Sequence, residues 1–394
     1  MNKGLVIERG RALIGDEFAE TTLCTDRALI ATVGGGTAAA RLDASDLLVL
    51  PGIVDIHGDA FERQMMPRPG VDFPLDVALA DSDRQAIANG ITTVFHATTW
   101  SWEPGLRSGE NAARLLETIE RQRPLFAADT RFHLRHETYD LDAEPTLLRW
   151  LAERRIDLLA FNDHMDSTVA ALDKPNKRNR MVERTGLSGE AFDALVATVA
   201  ARAGDVPASV NRLAAAAREA NVRMLSHDDD TPAMRQAYRA EGIRIAEFPV
   251  NVATARDAAA AGDFIVFGAP NVVRGASHTG WTRAADMIAQ GLCSVLASDY
   301  YYPAPLLAPF RLAADGVRPL AQSWKLVSEG PATAAGLTDR GVLAAGLRAD
   351  ILLVDAREAL RPRIVAVIAG GRLVHITEAA RLSSAAGARH SVAA

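Results

Sequence analysis

Eight short apolar segments alternate with Ala- and Leu-rich amphipathic stretches through the middle of the chain. Each segment has the length and the continuous hydrophobicity of a strand that is buried on both faces, as in a parallel sheet. Helices fit between the segments; ENAARLLETIERQ, for example, follows the second. A count of eight predicts an α/β fold with a closed (β/α)8 TIM-like barrel rather than an open sheet. The segments are GIVDIH, ITTVFHA, RFHLRHE, IDLLAFNDH, VRMLSHDD, IRIAEFP, FIVFGAPN and CSVLASDY.

The two ends of the chain have a different texture, with short β-like runs separated by Gly and Asp. GLVIERG, ALIATVG and LLVLPG lie near the start, and GVLAAGLRADILLVDAR and RIVAVIAGGRLVHI lie near the end. The length of 394 residues leaves room for a second unit beside a barrel of roughly 250 residues. We therefore expect residues 1–50 and 341–376 to form a small β-sandwich domain, residues 51–340 to form the barrel, and residues 377–394 to be a flexible tail.

Residues 165–206 form a longer connection than most βα loops, and this stretch is polar. Long connections inside compact domains are usually lids or binding loops. We predict a lid or a binding loop here, with a solvated surface insertion as the alternative. The stretch contains the basic residues Lys174, Lys177, Arg178 and Arg180.

Composition and charge exclude several classes of protein. Hydrophobic residues make up 48% and charged residues 23% of the chain, which is typical of a globular protein. A formal net charge of -6 disfavours a nucleic-acid partner. Neither a signal peptide nor an apolar stretch long enough to cross a bilayer is found, so no membrane partner is expected. Cys24 and Cys293 lie outside any ligand-spaced pattern, and we interpret them as reduced thiols of a cytoplasmic protein.

Ionisable side chains at the ends of the predicted strands carry the functional prediction. In a βα barrel the carboxyl ends of all strands open onto one face, where catalytic residues lie. His57 and Asp59 are two residues apart, so on an extended strand they point to the same side. An imidazole and a carboxylate together can chelate Zn, Mn, Fe or Co. One such residue is more often structural, but several at equivalent positions are informative. The others are His96, Glu137, His164, His227, Asp228, Asp229, Glu247 and Asp299.

His227 and Asp299 repeat this pattern on the fifth and eighth predicted strands. A carboxylate on the last strand is well placed to bind metal and to accept a proton from an attacking water molecule. Glu137 is a candidate bridging ligand between two metal ions, with a salt bridge to Arg135 or a neighbouring arginine as the alternative. The sequence lacks a GxSxG nucleophile motif, the GxxxxGK[ST] motif of NTPases and a convincing GxGxxG dinucleotide-binding motif. These three classes of protein are therefore disfavoured.

LPGIVDIHGD followed by NGITTV, and later GVLAAGLRADILLVD, resembles the amidohydrolase superfamily. In that pattern an LPG-strand-HxH opening leads into the barrel, and a GxxxxGxxADxxxxD segment closes the outer sandwich. Here Asp59 stands where the pattern has its second His. In this departure the chain resembles one branch of the superfamily, the α-D-ribose 1-methylphosphonate 5-triphosphate diphosphatases of the carbon-phosphorus lyase pathway. Further motifs that carry this resemblance are HLRHE, NDH, SHDD, AEFP, GAPNVVRGASHTG and SDYYYP. The resemblance covers about residues 48–375. The branch has HTDNLEK and GGSHSGN where this chain has HGDAFER and GASHTGW.

The resemblance implies a hydrolase that holds one or two divalent metal ions, Zn, Mn or similar, and uses Asp299 as its catalytic residue. The implied metal ligands are His57, Asp59, Glu137, His164, His227 and Asp299. The implied substrate is a phosphorylated small molecule from which pyrophosphate is released. The implied phosphate-binding residues are Arg63, Arg68, Arg274 and His278, and arginine suits this role through its permanent charge and bidentate geometry.

Two alternatives to this function stay open at the level of sequence. One is an amidohydrolase that acts on a C–N bond, either a cyclic amidase or a deaminase. The arginines argue against it, because a neutral amide ring gives no reason for several cations on the loops. The other is a non-catalytic barrel that serves as a binding or assembly subunit. Assembly of the chain into a homo-oligomer is compatible with each of these functions.

Overall fold

The computed structural model describes residues 4–68, 70–277, 280 and 282–384. Within these residues, seventeen strands form two sheets. In chain order the strands are β1 (Leu5–Ile14), β2 (Glu17–Asp26), β3 (Leu29–Val33), β4 (Ala40–Asp43), β5 (Leu48–Pro51), β6 (Ile53–Gly58), β7 (Ile91–Trp100), β8 (Asp129–Glu137), β9 (Leu158–Asn162), β10 (Arg223–His227), β11 (Ile245–Glu247), β12 (Phe264–Gly268), β13 (Val295–Ala297), β14 (Ile351–Asp355), β15 (Arg363–Ala369), β16 (Arg372–Ile376) and β17 (Leu382–Ser384).

Helices follow most of the barrel strands. They are α1 (Glu62–Met65), α2 (Leu75–Ala88), α3 (Gly109–Gln122), α4 (Glu144–Ala152), α5 (Met165–Leu172), α6 (Pro175–Thr185), α7 (Gly189–Ala200), α8 (Val206–Glu219), α9 (Pro232–Ala240), α10 (Val252–Ala260), α11 (Ala269–Arg274), α12 (Ala284–Ala289), α13 (Ala304–Ala314), α14 (Leu320–Trp324) and α15 (Glu329–Ala334). None of the helices in the described part of the chain has the length and hydropathy to cross a bilayer.

Strands β6 to β13 form the barrel, and the predicted (β/α)8 fold is confirmed. They pair in chain order, and every pair is parallel. The ring closes where β6 meets the end of β13: the Asp299 amide donates to the His57 carbonyl at 2.9 Å, and the Asp59 amide donates to the Asp299 carbonyl at 3.1 Å. All eight apolar segments are strands. Their continuous hydrophobicity follows from burial on both faces, since side chains such as Val54 and Leu225 fill the interior while others pack under the helices.

The other nine strands form the terminal sheet, a mixed sheet built from both chain ends as predicted. Strands β5 and β14 pair antiparallel through Leu48–Val354 to Pro51–Ile351 and so join the two ends. Apolar residues of both ends, including Ile7 and Leu353, share one buried cluster. We retain residues 1–50, 51–340 and 341–376 as the proposed domain division.

The segment expected to be a flexible tail from residue 377 is ordered as far as residue 384. Strand β17 pairs antiparallel with β4, and the Arg381 side chain donates to the Ser45 carbonyl at 3.0 Å. The Ala- and Ser-rich composition of the segment after Thr377 does not indicate these long-range contacts. Residues 385–394 lie outside the described residues.

The long connection after β9 is helical rather than an irregular loop. Helices α5, α6 and α7 pack around a small apolar cluster that includes Met165, Phe192 and Val196. The Ser188 hydroxyl caps α7 by accepting from the Ala191 amide at 3.2 Å, as N-cap serines do. The basic run on α6 masked this apolar periodicity in the sequence. Helix α5 begins directly after His164, so the insertion starts at a predicted metal ligand.

Candidate metal centre

Three predicted ligands from the two ends of the barrel sheet meet at the seam. Ligand atoms of His57, Asp59 and Asp299 all lie within 4.8 Å of one another. Strand β6 presents His57, Asp59 follows it by two residues, and the seam hydrogen bonds bring Asp299 against both. Burial, with the nearby Asp59 charge, raises the pKa of Asp299 to about 7 against the opposing effect of Arg135. Two carboxylates and an imidazole in this arrangement form a candidate metal site.

A second group of ligand atoms comes from β9 and β10. Ligand atoms of His164, His227 and Asp228 also lie within 4.8 Å of one another. His164 Nε2 is 3.4 Å from Asp228 Oδ2, and its Nδ1 is 2.7 Å from Glu137 Oε1. The Glu137 charge raises the pKa of His164 to about 10, although burial opposes the shift. Glu137 therefore reaches this group through His164. The alternative salt bridge between Glu137 and Arg135 does not form among the described residues, where Arg135 pairs with Asp59.

A third group lies deeper in the barrel and was not assigned from the sequence. It joins His57 to His133 and Glu247, both fully buried. His57 Nδ1 lies 2.7 Å from Glu247 Oε1, yet neither atom makes a hydrogen bond. His133 Nδ1 is 2.9 Å from the Ile56 carbonyl oxygen, while its Nε2 lacks a partner. Glu247 already stood out as a strand-end residue, and His133 shares the inward phase of Arg135 and Glu137 on β8.

The unpaired atoms test whether these residues suit a metal. A buried carboxylate or imidazole without a hydrogen-bond partner is costly. An ion that accepts their lone pairs would remove that cost, and a set made only of imidazole and carboxylate groups matches a divalent cation such as Zn or Mn. The residues present therefore fit a divalent metal. The buried atoms that make no hydrogen bond are His57 Nδ1, His133 Nε2, His227 Nδ1, and Glu247 Oε1 and Oε2.

Arg135 links two of the ligand groups. One of its terminal nitrogens lies 3.0 Å from His227 Nε2, and the other lies 3.7 Å from Asp59 Oδ2. The side chain is almost completely buried. Burial, followed by the Arg135 charge, lowers the pKa of His57 well below its usual value. A permanent cation at this depth suits an anionic substrate. From the sequence, Arg135 was considered only as a partner of Glu137.

Left-handed backbone directs side chains into the site. Asp228, Phe248 and Asp299 have φ values of 58°, 56° and 53°, and each lies just beyond the end of a barrel strand. Such a conformation costs roughly 1–3 kcal/mol and is most unusual for a bulky residue such as Phe248. Hydrogen bonds to neighbouring strands hold these turns, for example the Asp228 amide to the Glu247 carbonyl at 2.8 Å. All three side chains line the same pocket as a result.

Tyr300 lines that pocket, here called the Tyr300 pocket, and contacts two of the predicted phosphate-binding residues, of which Arg274 lines the pocket and Arg63 does not. Arg63 lies over the Tyr300 ring at 5.8 Å, and Arg274 donates to the Tyr300 hydroxyl at 3.2 Å. Arg68 is exposed in a turn where its carbonyl accepts from the Val71 amide, and its side chain contacts no ligand group among the described residues. His278 lies outside the described residues. The pocket is lined by His57, Asp59, Arg135, Arg274, Asp299 and Tyr300, with Phe248 and Phe267 as apolar walls.

Solved structures share this architecture over most of the chain. A prolidase complexed with N-methylphosphonate-L-proline has a TM-score of 0.64 at 14% identity and covers 95% of this chain and 100% of its own. An amidohydrolase from an environmental sample of the Sargasso Sea also has a TM-score of 0.64 at 14% identity, covering 95% and 93%. Molinate hydrolase gives 0.64 at 15% identity, covering 95% of each chain. The barrel and terminal sheet thus define an amidohydrolase fold.

Sequence comparison narrows this class. No family model matches, but the chain is 32% identical over 329 residues to the α-D-ribose 1-methylphosphonate 5-triphosphate diphosphatase of Escherichia coli (strain K12), covering 80% of this chain and 85% of that protein. An adenine deaminase of Methylobacterium nodulans matches a shorter stretch, 54% identical over 59 residues, or 15% of this chain and 10% of that protein. The chain belongs to the α-D-ribose 1-methylphosphonate 5-triphosphate diphosphatase family of the amidohydrolase superfamily, as its motifs predicted.

Proposed function

We propose that this chain is a metal-dependent diphosphatase that releases pyrophosphate from α-D-ribose 1-methylphosphonate 5-triphosphate in cytoplasmic phosphonate catabolism. The observation that carries the proposal is the position of cations among the ligand groups. Arg135 lies between His227 and Asp59, and Arg274 lines the same pocket. Cations at the reacting centre suit a polyphosphate substrate. The 32% identical relative has this activity in its name, and two buried free thiols fit a reducing compartment.

One or two divalent ions, Zn, Mn or similar, are the proposed cofactor. His57, Asp59 and Asp299 would hold one ion, with His133 and Glu247 as further candidates. His164 and His227 would hold a second, with Asp228 and Glu137 beside them. A bound divalent ion supplies Lewis-acid polarisation of phosphoryl oxygens. The unpaired buried nitrogens and oxygens of these groups support this assignment.

The chain's own residues have separate roles in the proposed reaction. Water attacks the α-phosphorus, the new O–P bond forms, and the bond from that phosphorus to the bridging oxygen breaks with diphosphate as the leaving group. Asp299 accepts the proton of the water molecule. Arg135 and Arg274 stabilise the negative charge that builds up on the non-bridging oxygens. The products are pyrophosphate and a ribose 5-phosphate that keeps its phosphonate at the anomeric carbon.

Hydrolysis of a C–N bond is the second candidate function. It is favoured by the short match to an adenine deaminase. The same ligand groups would serve such a reaction, because a polarised carbonyl or ring carbon also needs a metal and a proton acceptor. The cations of the Tyr300 pocket would then have no evident task, which is why we place this candidate second.

A substrate panel separates the two candidates. Purified protein is incubated with Mn, Zn or Mg and with ribose triphosphates, nucleoside triphosphates, adenine and cyclic amides, while pyrophosphate and ammonia are measured in parallel. We expect pyrophosphate from ribose triphosphates and no ammonia. Ammonia release or ring opening without pyrophosphate would overturn the proposal in favour of the C–N hydrolase.

A further inference from the structure

A second cavity opens on the other side of the ligand groups, between the barrel and the inserted helices. Its volume is about 420 Å³, and we call it the α6 cavity. Glu137 and His164 form its inner wall, Arg107 lies on the barrel side, and Lys177 and Arg180 lie on helix α6. His164 stands on the boundary between the two cavities, because its Nδ1 contacts Glu137 while its Nε2 faces Asp228 of the Tyr300 pocket.

Helix α6 sorts its basic residues onto two faces. Arg178 makes a bidentate ion pair with Asp193 of α7, at 2.9 and 2.8 Å, and so ties the two helices together. Lys177 and Arg180 are three residues apart and share the face that lines the cavity. Within the part of the chain that the structure describes, neither side chain has an ion pair or a hydrogen bond. These two cations are therefore left for a ligand.

Arg107 adds a third cation from the opposite wall. It donates to Glu62 at 3.2 Å, and its Nε is buried without a hydrogen-bond partner. Glu62 partly balances the Arg107 charge, and Glu137 in the lining is paired with His164. Lys177 and Arg180 are the cations of the lining that form no ion pair among the described residues, so the cavity favours an anion.

We infer that the α6 cavity binds the diphosphate leaving group of the substrate, with Lys177 and Arg180 contacting its phosphoryl oxygens. The inference rests on the proposed function. A diphosphate carries several negative charges, whereas the methylphosphonate ester carries one, and the cation-rich cavity matches the former. The Tyr300 pocket, with its apolar Phe248 and Phe267 walls beside Arg135 and Arg274, matches the sugar, the α-phosphoryl oxygens and the singly charged group. When the α-phosphorus of the substrate lies at the ligand groups, the diphosphate leaving group extends past His164 into the α6 cavity.

This assignment gives the inserted helices a task. Helix α6 closes the cavity from outside, so the contacts that it makes with the substrate depend on how many phosphoryl groups follow the scissile bond. A substrate with a shorter phosphate chain leaves Lys177 and Arg180 without a contact. The insertion thereby selects for a triphosphate, which a barrel with a short loop at this place would not do.

Binding of inorganic pyrophosphate to the full-length, Mn-loaded protein tests the inference by calorimetry. The double variant Lys177→Met/Arg180→Met removes both cations from an exposed helix face. Its dissociation constant for pyrophosphate is expected to rise about tenfold or more, as for loss of charge-assisted hydrogen bonds. Lys174→Met is the matched control, since Lys174 precedes the same helix, is exposed and does not line the cavity. Thermal melts by circular dichroism check that both variants are folded.

The control should bind pyrophosphate like the wild type. Unchanged pyrophosphate affinity in the double variant would overturn the inference, and so would a wild type that does not bind pyrophosphate. Weakened binding of a methylphosphonate ester with unchanged pyrophosphate binding would assign the cavity to the other end of the substrate. A protein that hydrolyses no triphosphate but binds pyrophosphate through Lys177 and Arg180 would refute the proposed function alone. Triphosphate hydrolysis with normal pyrophosphate binding in the double variant would refute the cavity alone.

Discussion

Ser298, after the last barrel strand, holds Asp55 on the first barrel strand across the seam. The Ser298 hydroxyl donates to one Asp55 oxygen at 2.5 Å, and the Ser298 amide donates to the other at 2.9 Å. Both residues are fully buried. Because His57 follows Asp55 by two residues and Asp299 follows Ser298 directly, this pair fixes the separation of two candidate metal ligands.

Ser298→Ala should therefore weaken both the fold and the metal site. Asp55 would keep only its backbone donors, and an under-satisfied buried carboxylate costs about 1–3 kcal/mol. We expect the free energy of unfolding in urea to fall by that amount and the metal affinity to fall with it. Ser323→Ala is the control, since Ser323 is equally buried and donates to the Arg318 carbonyl away from the site. A stability loss in both variants, without a difference in metal content, would contradict the positioning role.

Removal of His57 or Asp299 should abolish metal binding and activity together. Each side chain belongs to the seam group, and His57 also belongs to the deeper group. We expect His57→Ala and Asp299→Ala to fold, by circular dichroism, but to lose metal by elemental analysis and pyrophosphate release by assay. His375→Ala, on strand β16 of the terminal sheet, should behave as wild type. Full metal content with normal turnover in Asp299→Ala would refute the assignment, and a metal-free, inactive wild type would favour a binding barrel.

Glu247→Gln should weaken metal binding without unfolding the protein. The change keeps the shape of the side chain but removes a buried charge that faces His57 and His227 and accepts no hydrogen bond. If a metal supplies the compensation, its dissociation constant should rise about ten- to a hundredfold, as for other groups close to a metal. The metal-free variant should be at least as stable as the metal-free wild type. Equal metal affinity in both proteins would place Glu247 outside the centre.

Chelation should lower the stability of the wild type, because a ligand that binds only the folded state adds to the free energy of unfolding. For a metal at a thousandfold excess over its dissociation constant the effect is about 4 kcal/mol. We expect a lower melting temperature after treatment with a chelator, with recovery when Mn or Zn is restored. The shift should be small in His57→Ala, which serves as the reference. Identical melting of the treated and untreated wild type would contradict a resident metal.

The sequence predicted those features that local pattern determines. Each barrel strand was recognisable as an apolar run. His57, Asp59, His227 and Asp299 were singled out because candidate ligands recur at strand ends, and their role as metal ligands stays a prediction. His133 and Glu247 were not assigned, since their importance depends on which atoms meet across the barrel interior. Arg135 was considered only in the alternative in which it pairs with Glu137; its contact with Asp59 depends on how neighbouring strands are arranged in the barrel, which the sequence does not show.

Elements held by distant contacts were also missed. Strand β17 exists through its pairing with β4, more than three hundred residues earlier in the chain. Helices α5 to α7 depend on packing against one another, and the basic residues on α6 obscured that packing. The orientation of helix α6 decides which of these basic residues pairs with Asp193 and which ones line the α6 cavity, and this orientation cannot be predicted from composition.

Arg274→Met should raise KM for a ribose triphosphate or lower kcat/KM, with metal content unchanged. Arg274 lines the Tyr300 pocket and donates to the Tyr300 hydroxyl, so its charge lies beside the ligand groups. A charge-assisted contact contributes about 1.5–3 kcal/mol, and each ~1.36 kcal/mol corresponds to one decade, so the loss should be tenfold to more than a hundredfold. Arg274→Lys should restore little of it, because a bidentate site needs the guanidinium plane.

Arg68→Met is the comparison for this prediction. Arg68 was grouped with Arg274 from the sequence, but it does not line the Tyr300 pocket and contacts none of the ligand groups among the described residues, so we expect a smaller kinetic effect. Thermal melts must accompany the kinetics, since a structural arginine would lower the melting temperature instead. Unchanged kinetics in Arg274→Met would remove the phosphate-binding role and strengthen the C–N hydrolase alternative. An equal loss in both variants would mean that the loop bearing Arg68 closes over the substrate and brings its charge to the site.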